Sequence, residues 1–270
     1  MKQRPDFGEM LAGMRAQKPL VHCITNFVAM NIAANVVLAA GASPAMVHAP
    51  EEAGEFAGLC GAVTINIGTL SPVLLQGMCA AVQTANHNAI PWVLDPVAHF
   101  AIAYRRDAAQ HLLSLKPAII RGNASEILTL AGFAAHGQGA DSGDDAGAAY
   151  SAAVQLARDQ QCIVAVTGAY DLVTDGQATM RIDGGSALMP QITALGCALT
   201  CLTGAFAAAH KTQLFEATVA ALAMYAVAGA QAAHGATGPA SFQVQFIDAL
   251  AALTPAYFQS HAKVQCYETV

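Results

Sequence analysis

Three short apolar runs, each emptying into polar residues, constrain this chain more than any other feature. Ile90-Pro91-Trp92-Val93-Leu94 runs into Asp95-Pro96, Ala118-Ile119-Ile120 into Arg121-Gly122-Asn123-Ala124-Ser125-Glu126, and Cys162-Ile163-Val164-Ala165-Val166 into Thr167-Gly168. Runs of this length and branching read as strands covered on both faces, and the longer stretches between them have helical spacing. The alternation predicts parallel strands with helical crossovers, hence an α/β fold with a mostly parallel central sheet. No long linker, low-complexity tract or internal repeat interrupts it, so residues 1-270 read as one domain. Gly122 is expected to let the chain turn after its strand. Ligands of open parallel sheets bind beyond the carboxyl ends of the strands. A guanidinium and a carboxylate arriving there together suggest a polyphosphate with its metal ion; an Arg121–Glu126 ion pair tying a loop to a helix start is the alternative.

Composition narrows the partners. At 270 residues the chain is long enough to bury a substantial core. With 55% hydrophobic and 11% charged residues it is unusually apolar, and a net charge of -6 with only 12 Lys plus Arg argues against a nucleic-acid surface. Small ligands fit better. The nearest approach to a membrane span, Ala217 to Ala233, is expected to be broken by Gly229 and Gln231, which favours a buried helix or a subunit contact over a membrane role. Phe7, Met10, Leu11 and Met14 recur at helical spacing rather than as the apolar block of a signal peptide. Seven cysteines without paired zinc-like spacing point to reduced thiols and a cytoplasmic protein. Cys197 and Cys201 share a helix face but make half a metal site at most.

Further along the chain, Asn26 is a candidate N-cap for a helix ending near Gly41, and Met46 follows the next short strand. Asp141-Ser142-Gly143-Asp144-Asp145-Ala146-Gly147 reads as a polar surface loop, with a lid over 138-147 as the alternative. A small-residue apolar stretch from about Gly196 to His210 reads as a helix. Its N-terminus, with a glycine in the first turn, is a ready anion site.

The strings Pro19-Leu20-Val21-His22-Cys23-Ile24-Thr25-Asn26, Gly41-Ala42-Ser43-Pro44-Ala45-Met46, Ile65-Asn66-Ile67-Gly68-Thr69-Leu70, Leu94-Asp95-Pro96-Val97, Ile120-Arg121-Gly122-Asn123-Ala124-Ser125-Glu126, Val166-Thr167-Gly168 and Gly238-Pro239-Ala240-Ser241-Phe242 closely resemble those of the hydroxyethylthiazole kinases. The resemblance implies a ribokinase-like three-layer sandwich. It also implies ATP-dependent phosphorylation of 4-methyl-5-(2-hydroxyethyl)thiazole in thiamine salvage, with Mg²⁺ as cofactor. Arg121 and Thr167 would contact ATP together with Gly168 and Asn123, while Asp95 and Glu126 offer hard oxygen ligands for Mg²⁺. Cys197 takes the catalytic-base position, and the helix N-terminus is expected to lower its thiol pKa from about 8.5. Asn26, Met46 and Ala194 fall on the acceptor side. The family's site lies between subunits of a trimer, which implies a homotrimer here.

Departures from the pattern leave alternatives open. The family's Thr-Gly-Thr-Gly-Cys is Thr193-Ala194-Leu195-Gly196-Cys197 here, the glycine-rich continuation after Asp-Pro-Val is Ala98-His99-Phe100, and Ala240 replaces a second glycine. These read as added bulk at three points of the pocket. A positive φ at Ala194 would cost about 1 kcal/mol. A kinase of another hydroxyalkyl heterocycle, a hydrate dehydratase on the same fold and a degenerate binding protein therefore stand beside the leading reading.

Overall fold

A computed structural model describes residues 4–134, 137–138, 141–142 and 146–267. The first half of the chain gives α1 (Phe7–Gln17), β1 (Leu20–Ile24), α2 (Met30–Ala40), β2 (Ser43–Ala45), α3 (Pro50–Ala57), β3 (Ala62–Asn66), α4 (Pro72–His87), β4 (Trp92–Asp95), α5 (Ala103–Ser114), β5 (Ile119–Asn123) and α6 (Ala124–Leu130). A two-strand ladder, β6 (Gly137–Gln138) with β7 (Asp141–Ser142), precedes α7 (Tyr150–Gln160), β8 (Ile163–Thr167), β9 (Asp171–Thr174) and β10 (Thr179–Asp183). The chain ends in α8 (Leu195–Ala209), α9 (Leu214–Ala233), α10 (Pro239–Ala252), α11 (Pro255–His261) and β11 (Lys263–Cys266). Much of the expected 138–147 loop lies outside the described residues.

Nine strands form the central sheet in the order β11-β10-β9-β8-β5-β4-β3-β1-β2. From β8 to β2 every pairing is parallel; β9, β10 and β11 are antiparallel. Successive strand side chains alternate between faces: Val164 and Val166 belong to the core under α3 to α7, while Ala165 belongs to the core under α1, α2 and α8 to α10. Burial on both faces is why these strands read as continuous apolar runs.

Three expectations about local structure change. Asn26 is not the N-cap of α2: the helix starts at Met30, and the Asn26 side-chain oxygen Oδ1 instead accepts from the N–H groups of Val28 and Ala29, closing the turn before it. Gly41 does end the helix, in the left-handed region at φ 106°. Gly122 is not a turn residue but lies inside β5, where a Cβ would come within 3.2 Å of the Glu126 carboxylate. And α9 runs unbroken through Gly229 and Gln231 as a 20-residue helix, long and apolar enough by composition to cross a membrane. Its apolar window is 78% buried within the fold, which accounts for its hydrophobicity as a core helix.

α8 lies close against the sheet at Gly204, where a Cβ would collide with the methyl of Thr64 on β3. Gly204→Ala is therefore expected to destabilise the protein by about 1–3 kcal/mol through overpacking. A denaturant midpoint equal to that of the parent would show that the helix has room to shift.

Candidate active site

Five neighbouring strands, β8, β5, β4, β3 and β1, bring their carboxyl ends to one edge of the sheet. Registers set the pairs of residues there: Asn66 stands opposite Asp95 and Asn123 opposite Thr167. The N-terminus of α8 faces them. Behind these groups opens a crevice of about 830 Å³, polar at Asp95, Arg121 and Glu126 and apolar toward Ile182, Met189 and Ile192. The expected cluster of Asp95, Arg121, Asn123, Glu126, Thr167, Gly168 and Cys197 is thus assembled, with Ala194 on the same wall.

Arg121 is buried, yet its partner differs from the expected one. Its guanidinium lies 3.5 Å from Asp95 Oδ2 and donates to Thr167 Oγ1 at 2.6 Å, while Nε has no partner. The Thr167 hydroxyl, itself donating to the Gly122 carbonyl at 3.3 Å, holds the guanidinium in place. Gly196 permits the close fit, since a Cβ there would stand 3.0 Å from a guanidinium nitrogen. Glu126 is occupied by backbone instead: Oε1 accepts from Ala98 N at 2.9 Å and Oε2 from Asn123 N at 2.8 Å. The Asn123 side chain returns a bond to Glu126 N, completing a capping box for α6.

Asp95 is the most confined acid. Oδ2 accepts from Asn66 Nδ2 and Thr200 Oγ1, each at 2.7 Å; Oδ1 is buried without a partner. Burial pushes the carboxyls of Asp95 and Glu126 up, and the Asp95 charge raises Glu126 further, against the pull of Arg121 on both. Two buried carboxyl groups, one with an unsatisfied oxygen beside a crevice, form a hard-oxygen donor set that a divalent cation would relieve. The residues present therefore fit Mg²⁺.

Cys197 sits in the first turn of α8, but the expected lowering of its thiol is reversed. Burial first, then the Asp95 charge, push it up to about 12, outweighing Arg121 and the neighbouring amides of Asn66 and Asn26. A thiol pushed that far up keeps its proton near neutral pH. Cys201, one turn on, is buried against Thr64, and no cluster of three or more potential metal-binding side chains occurs among the described residues. Asn26 touches this group from the far side, donating to Cys197 Sγ at 3.3 Å and to Asn66 Oδ1 at 2.9 Å, without lining the crevice. Met46 follows edge strand β2 and packs half-buried against the α8-side core.

The three departures do not all add bulk to the pocket. Ala194 and Leu195 line it, and Ala194 is left-handed at φ 58°. Ala98 is also left-handed, at φ 49°, and that turn aims its N–H at Glu126. His99 and Phe100 face a separate hollow beside Thr129 and Phe133, where burial lowers His99 to about 4. Ala240 is exposed on α10, away from the crevice.

Four contributors were not foreseen. Asn66 ends its strand in a polar residue as Asp95 does, a signal that was there to use. Thr200 lies one turn past Cys197. Arg105 donates to the carbonyls of Gly68, Val97 and Ala98, binding two strand-end loops together. Asp171 accepts from Gly168 N at 3.1 Å and lines the crevice.

The hydroxyethylthiazole kinase family model matches residues 11–256. The chain belongs to the hydroxyethylthiazole kinase family. A hydroxyethylthiazole kinase of Rhizobium etli strain CIAT 652 is 64% identical over 255 residues, covering 94% of this chain and 99% of its own. Among solved structures, the hydroxyethylthiazole kinase protein of Pyrococcus horikoshii OT3 superposes with a TM-score of 0.88 at 38% identity, over 97% of this chain and 99% of the other. A ribokinase-like superfamily protein from Enterococcus faecalis V583, 11% identical with a TM-score of 0.67 over 94% and 95% of the two chains, shares the ribokinase-like fold alone. The architecture expected of a hydroxyethylthiazole kinase is therefore present along this chain.

Burial raises Asp171 from 3.8 to about 7. Because the folded state binds this proton more tightly than the unfolded chain, its ionisation cost develops as pH rises from about 4 and is fully present above about 7. Asp171→Asn keeps an oxygen for Gly168 and removes that cost, so its melting temperature should exceed the parent's at pH 8 and converge on it toward pH 4. A difference independent of pH would contradict this.

Proposed function

We propose that the crevice binds ATP and passes its γ-phosphoryl group to the hydroxyethyl oxygen of 4-methyl-5-(2-hydroxyethyl)thiazole. The observation carrying this reading is the convergence of Arg121, Asp95 and Glu126 with the N-terminus of α8 in a chain of this family. Arg121 grips phosphate oxygens, and its unpartnered Nε supports a ligand acceptor there. The free N–H groups opening α8 receive the transferring group. Gly168 leaves backbone room for the nucleotide, whose base lies along Ile182, Met189 and Ile192. Asp95 and Glu126 would hold Mg²⁺, which when bound supplies positive charge against the phosphate oxygens; Asn123 keeps Glu126 in place.

Transfer through a loose transition state asks mainly for alignment and charge balance. A neutral Cys197 suits that demand: its sulfur accepts a hydrogen bond from the substrate hydroxyl and assists, without being indispensable. Asn26, Met46 and Ala194 form the acceptor side. Phe27 and Val28, 60% and 57% exposed next to Asn26, support a homotrimer whose neighbouring subunit completes that side. Seven cysteines, none in a disulfide, support a cytoplasmic setting. One sheet drawing strands from Leu20 to Cys266 supports reading the chain as a single kinase unit.

Mass spectrometry of the product after incubation with ATP, Mg²⁺ and the thiazole alcohol is expected to show the phosphate monoester, and to show none when Mg²⁺ is chelated. A product without phosphate, or unconsumed ATP, overturns the reading. Arg121→Lys keeps the charge but loses the bidentate fork. ATP affinity should fall about tenfold, roughly 1.4 kcal/mol, while calorimetry should find thiazole affinity little changed. A weakened alcohol site with intact ATP binding would place Arg121 on the wrong substrate.

A further inference from the structure

The chain runs from β1 outward to β2 and returns to β3 on the other side, so β1 and β3 part at their carboxyl ends, the topological switch point of the sheet. Asn66 ends β3 there and is 2% exposed. Its carboxamide makes three bonds: Nδ2 donates to Asp95 Oδ2 at 2.7 Å, and Oδ1 accepts from Gly68 N and from Asn26 Nδ2, each at 2.9 Å. Two of these partners permit only one orientation. The Gly68 N–H can only donate, and Asp95 Oδ2, which also receives the Thr200 hydroxyl, serves as an acceptor. Turned over, the amide would set its NH₂ against an N–H and its oxygen against a carboxyl oxygen.

Asn26 is fixed in the same sense from the other end. Its Oδ1 accepts from Val28 N at 3.1 Å and Ala29 N at 3.0 Å, so Nδ2 must face Asn66 and the sulfur of Cys197. The bonds joining Asp95, Asn66, Asn26 and Cys197 therefore have a single polarity. They deliver a donor to the sulfur and leave the thiol hydrogen to point elsewhere.

We propose that Asn66 is a positioning residue for the transfer, an oriented amide that holds the acceptor side, Asn26 and Cys197, in register with the phosphoryl side, Asp95. This rests on the phosphoryl-transfer reading above. Misplacement of reacting groups by about 1 Å can cost on the order of 100-fold in rate, so an amide that spans both halves is placed to control turnover without touching either substrate.

Two variants separate the halves. Asn66→Asp keeps an acceptor for Gly68 and Asn26 but loses the donor to Asp95; Asn66→Ala loses all three bonds. Asn66→Asp should lower kcat about tenfold and leave the thiazole KM within about twofold, whereas Asn66→Ala should also raise that KM at least about fivefold. Adding Asn26→Ala to Asn66→Ala should lower activity by clearly less than the product of the two single effects, because the two residues share one bond. Folded Asn66→Ala with kcat and KM within about twofold of the parent, or fully multiplicative effects in the double variant, overturns the proposal. Should Asn66→Ala fail to fold, the near-isosteric Asn66→Asp carries the test by its split between kcat and KM.

An activity-independent measurement keeps the two readings apart. Peptide-mapped alkylation of Cys197, relative to exposed Cys266, should slow at least about threefold in Asn66→Ala, because the sulfur loses its fixed donor, and stay within about twofold of the parent in Asn66→Asp, which keeps Asn26 held; general loosening of the site would speed it in both. An equal or faster rate in Asn66→Ala, or a rate in Asn66→Asp more than about twofold from the parent's, counts against Asn66. If the parent protein forms no thiazole phosphate, the proposed function fails, and the alkylation rates alone decide the role of Asn66.

Discussion

One buried oxygen, Oδ2 of Asp95, orients the polar groups at the strand ends. It receives Asn66 from β3 and Thr200 from α8, and lies 3.5 Å from the Arg121 guanidinium of β5. Thr200 and Cys197, three residues apart, share a helix face. The bond from Thr200 therefore also sets the rotation of α8 about its axis, and with it the direction in which Cys197 and the helix N-terminus point. A buried ion pair of this kind is weak evidence for stability, because desolvating both charges offsets much of their attraction. The unpartnered Asp95 Oδ1 and Arg121 Nε say the same. Both atoms leave capacity for a charged ligand, as the proposed function requires, and add nothing to the stability of the empty fold.

Two alanines show a second cost accepted for geometry. Ala98 and Ala194 both occupy the left-handed region, at about 1–2 kcal/mol for a residue with a Cβ. Ala98 uses the conformation to send its N–H into Glu126 Oε1, and Ala194 uses it to start α8 beneath Arg121. Glycine would adopt either conformation without that cost, though it would lose more entropy on folding. Because backbone N–H direction depends on φ and ψ rather than on the side chain, substitution by alanine leaves the bond to Glu126 intact. Leu195 is different: its side chain lines the crevice and its carbonyl is held by Tyr225 Oη at 2.7 Å, so it shapes the wall without donating to a ligand.

The strands and their polar ends were legible because burial on both faces leaves an apolar run, and the run's end marks the crevice. Asp95, Arg121 and Thr167 could be found by that rule, and Asn66 obeys it too. Arg105 and Asp171 could not: an arginine inside α5 and an aspartate opening a hairpin strand look like ordinary surface charge until folding brings three carbonyls or a glycine N–H to them. The state of Cys197 differs from the expected one for a related reason. A helix N-terminus can be recognised in sequence, but how deeply it is buried, and which acid stands beside it, depend on strands more than 70 residues away. Gly122 failed similarly, since its need for a missing Cβ comes from Glu126 folding back over the strand.

A neutral thiol at Cys197 is consistent with the phosphoryl transfer proposed for the site. In a loose transition state the bond to the leaving group is largely broken before the new one forms, so the attacking hydroxyl gains little positive charge until late. A strong base placed there early would add a second anion beside Asp95, Glu126 and the nucleotide phosphates, in surroundings where charges are poorly screened. In the proposed transfer, a protonated Cys197 would avoid that repulsion while its sulfur directed the hydroxyl. On that proposal the gathering of polar groups around Arg121, Asp95 and the opening turn of α8 has a reason: the charge to be balanced would sit on the phosphoryl oxygens, and the acceptor would need direction more than deprotonation.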